Sequence, residues 1–502
     1  MRIWFVGALL AALLAQPAAA QKSADTLRVT WDSSVTNIDP YYNQLRTGLV
    51  IAHQAWDTLI DRDPDSFVLK PLLANGWKYT DDTTIEFALR HGVKFHDGSP
   101  FSADDVVYTI NTVLADKQVS VPSNYLFLVG AEKIDDYTVR VKLKRVFPAA
   151  LEYLSMTLPI WPKAYRERLG ADAYAKAPVG AGPYRITKVG DLSEIDFERF
   201  EDYYADSPKG RPPIRRMTIH QVPDATASMN ELLGNRADWI WNFLADNFDN
   251  VARMPNLQAL RAESMRVGYL SLDAAGRTGA GNPLTNTKVR QAIFHAIDRT
   301  TIARQLVQGG SRVPDGPCYP TQFGCDTSGA QRYDYDPAKA KALLAEAGFP
   351  NGFSTEIVSY VLPQYEGAIQ NYLKAVGIDV RMTHMTTQAV IQRTLAGTTP
   401  MNLGSWGSYS INDVSAFMPF FFTGTDTDYT RDPQVQSLVE QGGASTNADV
   451  RRKFYGQAIN LVMDRAYFLP LHTYVTTYGV SRSLTFKPYP DELPRFYLAN
   501  WK

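Results

Sequence analysis

The chain has 502 residues, which is too long for one hydrophobic core at about 100–200 residues per domain, so two or three lobes are expected. Hydrophobic residues make up 45% and charged residues 21%, a composition typical of a globular protein that excludes wholesale disorder. Lys and Arg total 51 against 52 Asp and Glu, a balance that argues against binding nucleic acid by neutralising its phosphates.

The first twenty residues have the pattern of an export signal. Arg2 supplies a positive start, the stretch 3–15 is almost wholly apolar, and an Ala-Ala-Ala triplet ends at Ala20. The apolar stretch is shorter than the ~20 residues needed to cross a bilayer, which disfavours a membrane anchor. We therefore expect a signal peptide over 1–20, removed after Ala20, and a mature chain in the periplasm.

The first half of the mature chain has the patterns of short strands and helices joined by turns. Ile85, Phe87 and Leu89 alternate with Glu86, Ala88 and Arg90, as in a half-buried strand. Ser102 is placed to cap a helix whose first turn carries two aspartates. Further strands are predicted over 27–31, 137–143, 184–187, 217–221 and 237–241, and helices over 49–60 and 225–233.

The second half alternates helices with strands. One helix is predicted from Thr287 to the Gly-Gly pair at 309–310. Asp336 is expected to cap the next helix, with Pro337 at its first position and Gly348 past its end. A βαβ unit is predicted from strands over 356–361 and 378–382 and a helix over 365–375, followed by a helix over 450–463 and strands from Leu469 onward.

The two cysteines, Cys318 and Cys325, lie in the Pro- and Gly-rich stretch GPCYPTQFGC. In an exported protein, a pair this close in sequence favours a disulfide. On the chain-entropy view, closing so short a loop stabilises the fold by roughly 2.5 kcal/mol. The alternative is a metal-binding pair, which lacks two further ligands nearby in the sequence.

The motifs of common enzymes are absent from the sequence. It contains no GxSxG, Ser-x-x-Lys or HExxH, and no glycine-rich phosphate loop. The seven histidines are scattered, and the nearest to a cluster, His91 and His96 beside Asp97, lie in turns where a surface or capping role suffices. The sequence thus offers no catalytic residue, metal site or cofactor, and we expect a protein that is not an enzyme.

Several segments together are similar to one family. In chain order they are WKYTDDTTIEFALRHGVKFHDGSPFSADDVVYT at 77–109, PVGAGPYRI at 178–186, VRQAIFHAIDR at 289–299, YDPAKAKALLAEAGFPNGF at 335–353, LKAVGIDVRM at 373–382 and RRKFYGQAINLVMDRAYFLPL at 451–471. In this order and spacing they resemble the peptide/nickel-type (family 5) extracellular solute-binding proteins of ABC transporters, over about 25–502. The resemblance implies a bilobed α/β periplasmic-binding-protein fold that closes on its ligand and presents it to a membrane permease.

The resemblance also implies a division of the chain. Lobe I would comprise 21–265 and 475–502, with an extra subdomain over 61–178, and lobe II would comprise 266–474. The hinge crossovers would lie near Arg266–Asp273 and His472–Tyr478. The expected partners are a small-molecule or peptide ligand and the permease subunits, and the expected state is a monomer.

Ligand contacts are implied for the stretch GSWGSYSINDVSAF at 404–417. In peptide-binding members, a Trp and a following Asp in this loop hold the ligand's α-ammonium, so Trp406 would stack on the ligand and Asp413 would pair with its cation. Tyr409 and Asn412 could add hydrogen bonds. No Lys or Arg lies within the stretch, so Asp413→Asn is expected to weaken binding. The alternative is that Trp406 belongs to the core and Asp413 caps a helix.

One departure from the family pattern bears on the ligand. Dipeptide-binding members place an Arg for the peptide carboxylate where this chain has Gln364 and Glu366. The carboxylate would then need another partner, and Arg46 in YYNQLRTG is a candidate. Trp241 is a candidate wall of lobe I, with ordinary core packing as the alternative.

The sequence thus favours the substrate-binding component of an ABC importer for di- or oligopeptides or peptide-like solutes. The alternative within binding proteins is a receptor for a non-peptide cationic molecule, such as an opine, a sugar-amine conjugate or a metal chelate. Less favoured are an exported hydrolase with a carboxylate dyad and a folding helper that grips unfolded chains.

Overall fold

The computed structural model describes residues 25–32, 35–191 and 193–502. The predicted signal peptide over 1–20 and its cleavage site lie outside these residues. None of the helices in the described part of the chain combines the length and the apolar character that a membrane crossing requires.

Strands and helices alternate along most of the chain. The strands are β1 (Thr26–Trp31), β2 (Ile60–Arg62), β3 (Leu69–Pro71), β4 (Ala74–Asp81), β5 (Thr84–Leu89), β6 (Leu128–Asp135), β7 (Thr138–Leu143), β8 (Tyr184–Gly190), β9 (Glu194–Arg199), β10 (Arg216–Gln221), β11 (Trp239–Trp241), β12 (Leu257–Leu272), β13 (Phe353–Ser359), β14 (Ile378–His384), β15 (Met401–Trp406), β16 (Phe468–Ser481), β17 (Leu484–Thr485) and β18 (Asn500–Trp501). The α-helices are α1 (Arg46–Ala55), α2 (Ala103–Ala115), α3 (Ala150–Thr157), α4 (Lys163–Leu169), α5 (Ala171–Lys176), α6 (Ala225–Leu233), α7 (Phe248–Ala252), α8 (Thr287–Ala296), α9 (Arg299–Thr301), α10 (Pro337–Glu346), α11 (Pro363–Ala375), α12 (Thr387–Leu395), α13 (Met418–Phe422), α14 (Pro433–Ala444) and α15 (Ala448–Asp464). The α/β class expected from the sequence is therefore observed.

Ten strands form one continuous mixed sheet, in the order β14-β13-β15-β12-β16-β11-β1-β10-β9-β8. Its centre is the long antiparallel pair of β12 and β16, which joins the two halves of the sheet. The register of this pair shifts between Glu263 and Val267, where the Met265 amide donates instead to the Pro490 carbonyl at 2.7 Å. The predicted βαβ unit is confirmed, since β13 and β14 pair in parallel with α11 between them.

Two bodies of buried hydrophobic side chains lie on either side of the β12–β16 pair. The first combines the N-terminal half of the chain with the C-terminal tail up to Ala499. The second lies within 269–471 and consists of two adjoining clusters. We call the parts of the chain around these bodies lobe I and lobe II. The boundaries at 265/266 and 474/475 stay a prediction, and the register shift of β12 lies beside them.

Lobe I also contains a separate antiparallel sheet of four strands, in the order β4-β5-β7-β6. Helix α2 packs on this sheet against β6. Buried side chains of β5 and α2, such as Phe87 and Ile110, belong to the same core as β1. The bounds of 61–178 for an extra subdomain stay a prediction.

Helix starts that depend on local chemistry occur where the sequence predicts them. The Ser102 amide donates to the Asp105 carboxylate at 2.9 Å, which completes a capping box at the start of α2. The Asp336 carboxylate accepts a hydrogen bond from the Lys339 amide at 2.9 Å at the start of α10. Gly348 follows the end of α10 with φ of +92°, a conformation that favours glycine.

The prediction of a single helix from Thr287 to the Gly-Gly pair at 309–310 is wrong. Helix α8 ends at Ala296, and the chain restarts as α9 and a π-helical turn over Ile302–Val307. The reason is Asp298, whose carboxylate accepts hydrogen bonds from the amide and hydroxyl of Thr301 at 2.9 and 2.6 Å. An aspartate that caps a new helix competes with continuation of the old one.

The sequence predicts a surface or capping role for His96, whereas the structure places its ring, partly buried, against another segment of lobe I. Its Nδ1 accepts a hydrogen bond from the Gly180 amide at 3.2 Å, and its Nε2 lies 2.9 Å from the Gly182 carbonyl oxygen. Burial lowers the pKa of His96 to about 4, so the ring is neutral and fixes the PVGAGP turn. A Cβ at Gly180 would lie 2.1 Å from the Ala55 carbonyl oxygen, so this turn can only pack against α1 with glycine there.

Candidate functional site

The segment 405–415 of lobe II, here called the cleft loop, lies against lobe I. It begins at the end of β15, where the Tyr360 hydroxyl donates to the Ser405 carbonyl and accepts from its amide, both at 2.8 Å. Ile411 is fully buried and belongs to the core of lobe I, and Tyr409 packs against the same core. The cleft loop is therefore a principal contact between the two lobes.

Hydrogen bonds from lobe I fix the middle of the cleft loop. Arg62 donates from Nη1 to the Ser410 carbonyl at 2.5 Å, and the Ser410 hydroxyl donates to the Asp491 carbonyl at 2.7 Å. The Asn412 amide donates to Oε1 of Glu152 at 2.8 Å. These groups come from three separate parts of lobe I, namely β2, α3 and the C-terminal tail, so the contact forms only when the lobes are together.

Two arginines converge on one carboxylate beside the cleft loop. Arg266 holds Glu492 with Nε–Oε1 at 3.1 Å and Nη2–Oε2 at 2.9 Å. Arg46 approaches the same Oε2 with Nη2 at 2.7 Å. A Cβ at Gly407 would lie 3.0 Å from the Arg266 guanidinium and 3.2 Å from that of Arg46, so the backbone of the loop runs directly past both cations.

The electrostatics of this trio leave positive charge at the lobe contact. Burial alone would raise the pKa of Glu492, but the Arg266 and Arg46 guanidiniums outweigh it and hold that pKa at about 2. The site therefore carries two positive charges and one negative charge at neutral pH. The side chains of Arg46, Arg266 and Glu492 stay 19%, 28% and 11% exposed, so part of each remains in contact with solvent. Nε of Arg46 has no hydrogen-bond partner.

The position of Arg266 follows from the irregular pairing of β12. Arg266 is one of the residues between Glu263 and Val267 at which the register with β16 shifts. Such irregularities change the direction in which a side chain points relative to the face of the sheet. Here the shift turns Arg266 towards Glu492 and also lets its Nη1 donate to the Ser405 hydroxyl at 3.3 Å.

A second buried ion network lies behind the first. Asp491 is shared by Arg495, at 2.5 and 2.6 Å, and by Arg62, at 2.7 Å. Arg62 also contacts Glu152. Two carboxylates and two guanidiniums balance here, so this network anchors lobe I without offering charge to a ligand.

Asp413 is paired inside the protein, and the premise that it lacks an internal cation is wrong. Arg451 of α15 holds both carboxylate oxygens of Asp413 at 2.9 Å, and both side chains are only 7% exposed. Asp413 also accepts from the Ser415 amide at 2.9 Å and caps the short turn that follows, as the alternative interpretation held. The sequence argument for a ligand ammonium at Asp413 therefore loses its basis.

The aromatic residues of the cleft loop lie where the lobes meet. Trp406 is half-buried, with its ring centroid 4.6 Å from that of Phe420 and 5.3 Å from that of Tyr409. Its Nε1 has no hydrogen-bond partner, and neither has Oδ1 of Asn412. Burial raises the pKa of Tyr409 to about 12. Stacking of Trp406 on a ligand stays a prediction.

Trp241 lies in the core of lobe I and is only 5% exposed. Its ring stacks on Trp31 with centroids 5.8 Å apart and lies 5.5 Å from Trp239. This placement favours the core-packing alternative over a role as a ligand wall.

The cysteine loop supports the cleft loop from the side of lobe II. The sulfurs of Cys318 and Cys325 are 1.97 Å apart, at bonding distance as predicted. Between them, the Phe323 amide donates to the Asn412 carbonyl at 3.2 Å, and the Phe323 carbonyl accepts from the Val414 amide at 3.0 Å. The cysteine loop thus holds the end of the cleft loop in place.

The sequence singles out Arg46, but it gives no signal for the contact of Arg46 and Arg266 with Glu492. The sequence places Arg266 only at the start of a predicted hinge crossover, and it lies 226 positions from Glu492, so no local pattern connects the two. In the region of Gln364, Glu366 lies 2.7 Å from Nδ1 of His384. Within the described ranges, no group of three side chains is arranged to hold a metal ion.

Comparison with known sequences identifies one family. The model for "Bacterial extracellular solute-binding proteins, family 5 Middle" matches residues 68–428. Heme-binding protein A of Haemophilus influenzae is 28% identical over 466 residues, covering 84% of this chain and 82% of that protein. Glutathione-binding protein GsiB of Salmonella paratyphi A is 29% identical over 385 residues, covering 75% of this chain and 72% of that protein.

Solved structures share the fold along nearly the whole chain. HbpA2 from Haemophilus parasuis superposes with a TM-score of 0.80 at 25% identity, covering 95% of this chain and 100% of that one. A dipeptide-binding protein from Pseudoalteromonas, in complex with Met-Leu, superposes with a TM-score of 0.81 at 21% identity, covering 95% and 100%.

Proposed function

We propose, from the premise that the chain belongs to the bacterial extracellular solute-binding proteins of family 5, that it captures a carboxylate-bearing, peptide-like solute between its lobes. Proteins of this family bind ligands and work with ABC permeases, which makes the chain the substrate-binding component of an importer. The single observation that carries the proposed ligand class is the convergence of Arg46 and Arg266 on Glu492.

The charge balance of that trio favours an anionic ligand group. Guanidinium groups bind carboxylates with two parallel hydrogen bonds, and one carboxylate from the protein does not use all the donors of two arginines. A ligand carboxylate would neutralise the remaining positive charge beside Gly407, within reach of both cations. A cationic solute has no such partner here, because Asp413 is already neutralised by Arg451.

The names of the relatives support the same class. One relative is a heme-binding protein and another a glutathione-binding protein, and both of those molecules carry two carboxylates. Glutathione is also a peptide, which agrees with the peptide-like solutes expected from the sequence. We therefore choose glutathione as the first probe.

Calorimetric titration tests the proposal with two probes. Glutathione is expected to bind one-to-one, and its derivative with amides in place of both carboxylates is expected to bind at least about thirtyfold more weakly, because the two arginines then lack a ligand anion. Equal affinity for both probes would count against a carboxylate clamp. Binding of neither probe, with tight binding of a cationic solute, would refute the ligand class.

We also propose that the mature chain works in the periplasm, starts at Gln21 and contains the Cys318–Cys325 disulfide. Export supplies the oxidising environment in which a disulfide persists. Intact-mass measurement of protein purified from the periplasm is expected to match a chain without residues 1–20, and to rise only after reduction and alkylation. A free thiol before reduction, or retention of the first twenty residues, would contradict this prediction.

A further inference from the structure

Three consecutive residues of the cleft loop have left-handed backbone. Ser408, Tyr409 and Ser410 have φ of +50°, +50° and +65°, and none of them is glycine. The other non-glycine residues of the described chain with positive φ occur singly. For residues with a Cβ this conformation is strained, and strain of this kind persists only where surrounding contacts impose it.

The contacts that impose the strain come largely from lobe I. Ser410 is fully buried and is held through its hydroxyl and carbonyl by Arg46, Arg62 and the Asp491 carbonyl. Ile411, the next residue, is buried in the lobe I core. Within the loop itself only two short bonds close the turn, from the Ser410 amide to Gly407 and from the Ile411 amide to Ser408.

We propose that the left-handed turn over Ser408–Ser410 sets the ligand affinity, because closure of the lobes strains it and opening lets it relax. When the lobes separate, Ser410 loses its hydrogen bonds to Arg46, Arg62 and the Asp491 carbonyl, so lobe I no longer holds the turn in its strained conformation. The strain then opposes closure in the absence of ligand, and bound ligand offsets it. The free energy of ligand binding is thus less favourable than the ligand contacts alone would give, and the difference is the strain energy of the turn.

Ser408 is the position at which this can be tested without disturbing the lobe contact. It is only 3% exposed and its φ is as strained as that of Tyr409, yet the hydrogen bonds from the loop to lobe I described above belong to Ser410 and Asn412. Ser408→Gly removes the Cβ that makes the conformation unfavourable. Ser408→Ala removes the hydroxyl but keeps the Cβ, so the difference between the two variants isolates the strain.

The experiment compares closure and affinity in the two variants. Ser408→Gly is expected to bind glutathione about threefold to tenfold more tightly than Ser408→Ala, since relief of left-handed strain exceeds the added chain freedom of glycine. A fluorophore pair with one dye in each lobe is expected to show a larger closed fraction in ligand-free Ser408→Gly. Arg431, exposed in lobe II with φ of +47°, supplies the matched pair Arg431→Gly and Arg431→Ala, for which no difference in closure is expected.

The outcomes separate this inference from the proposed function, on which it rests only for the choice of probe. Equal closure and equal affinity in the two Ser408 variants, or weaker binding by Ser408→Gly, would overturn it. Failure of glutathione to bind any variant would instead refute the proposed ligand. In that case the closed fraction without ligand still decides whether the turn opposes closure.

Discussion

Replacing Arg266 with glutamine is expected to weaken glutathione binding by about thirtyfold or more. The substitution removes one of two cations that face the proposed ligand carboxylate, and losing one partner of a desolvated charge pair costs about 2–5 kcal/mol, at about 1.4 kcal/mol per factor of ten. Glu492 keeps Arg46 as its partner, so the fold itself retains an ion pair at this place. Isothermal calorimetry of the purified proteins measures the change.

A matched control comes from an exposed ion pair of lobe II. Arg332 lies 3.0 Å from Asp315 with 73% of its side chain exposed, and pairs of this kind contribute little. Arg332→Gln is therefore expected to leave the affinity within about twofold. An Arg266→Gln protein that binds as well as the Arg332→Gln protein would remove Arg266 from the ligand site.

Replacing Arg451 with methionine is expected to lower the free energy of unfolding by about 3–5 kcal/mol. The substitution leaves the Asp413 carboxylate buried without its cation, which is the costly way to break a buried pair. The double variant Asp413→Asn, Arg451→Met has no uncompensated charge and is expected to recover most of the loss. Urea unfolding followed by circular dichroism measures all three proteins, and an Arg451→Met protein as stable as the native one would show that the pair contributes nothing.

This stability effect replaces the expectation that Asp413 binds the ligand directly. If Asp413 anchors the ligand, the double variant is expected to bind glutathione as weakly as the Arg451→Met protein or more weakly. If the Asp413–Arg451 pair is only structural, the double variant is expected to recover ligand affinity together with stability. Calorimetry with glutathione on the same proteins therefore distinguishes the two roles of Asp413.

Much of the fold could be predicted because its signals are local. The alternating pattern of β5 reappears as buried Ile85, Phe87 and Leu89. Helix α6 has the bounds 225–233 that its sequence pattern indicated, with Gly234 just beyond. Caps, turns and periodicity depend on neighbours within a few residues, and these are visible in the sequence.

The errors arose where distant contacts decide the local structure. The sequence predicts a helix over 49–60, whereas α1 ends at Ala55, because Trp56 takes extended backbone and donates from Nε1 to the Tyr174 hydroxyl at 2.9 Å. Asp413 lacks a cation among its neighbours in sequence, but Arg451, 38 residues later, reaches it from α15. A single amino-acid sequence contains no local pattern that indicates contacts between residues so far apart along the chain.

The continuity of β12 and β16 has a mechanical consequence. Both strands pass from one lobe to the other, and the register of their ladder shifts at two places, between Glu263 and Val267 and between Gly268 and Tyr269. The two lobes therefore share one continuous sheet, and we expect them to open by a change in the twist of β12 and β16 rather than by rotation about a flexible linker. Backbone amides of this pair are therefore expected to stay protected from hydrogen exchange with and without ligand, because the sheet that joins the lobes does not need to melt for ligand to enter and leave.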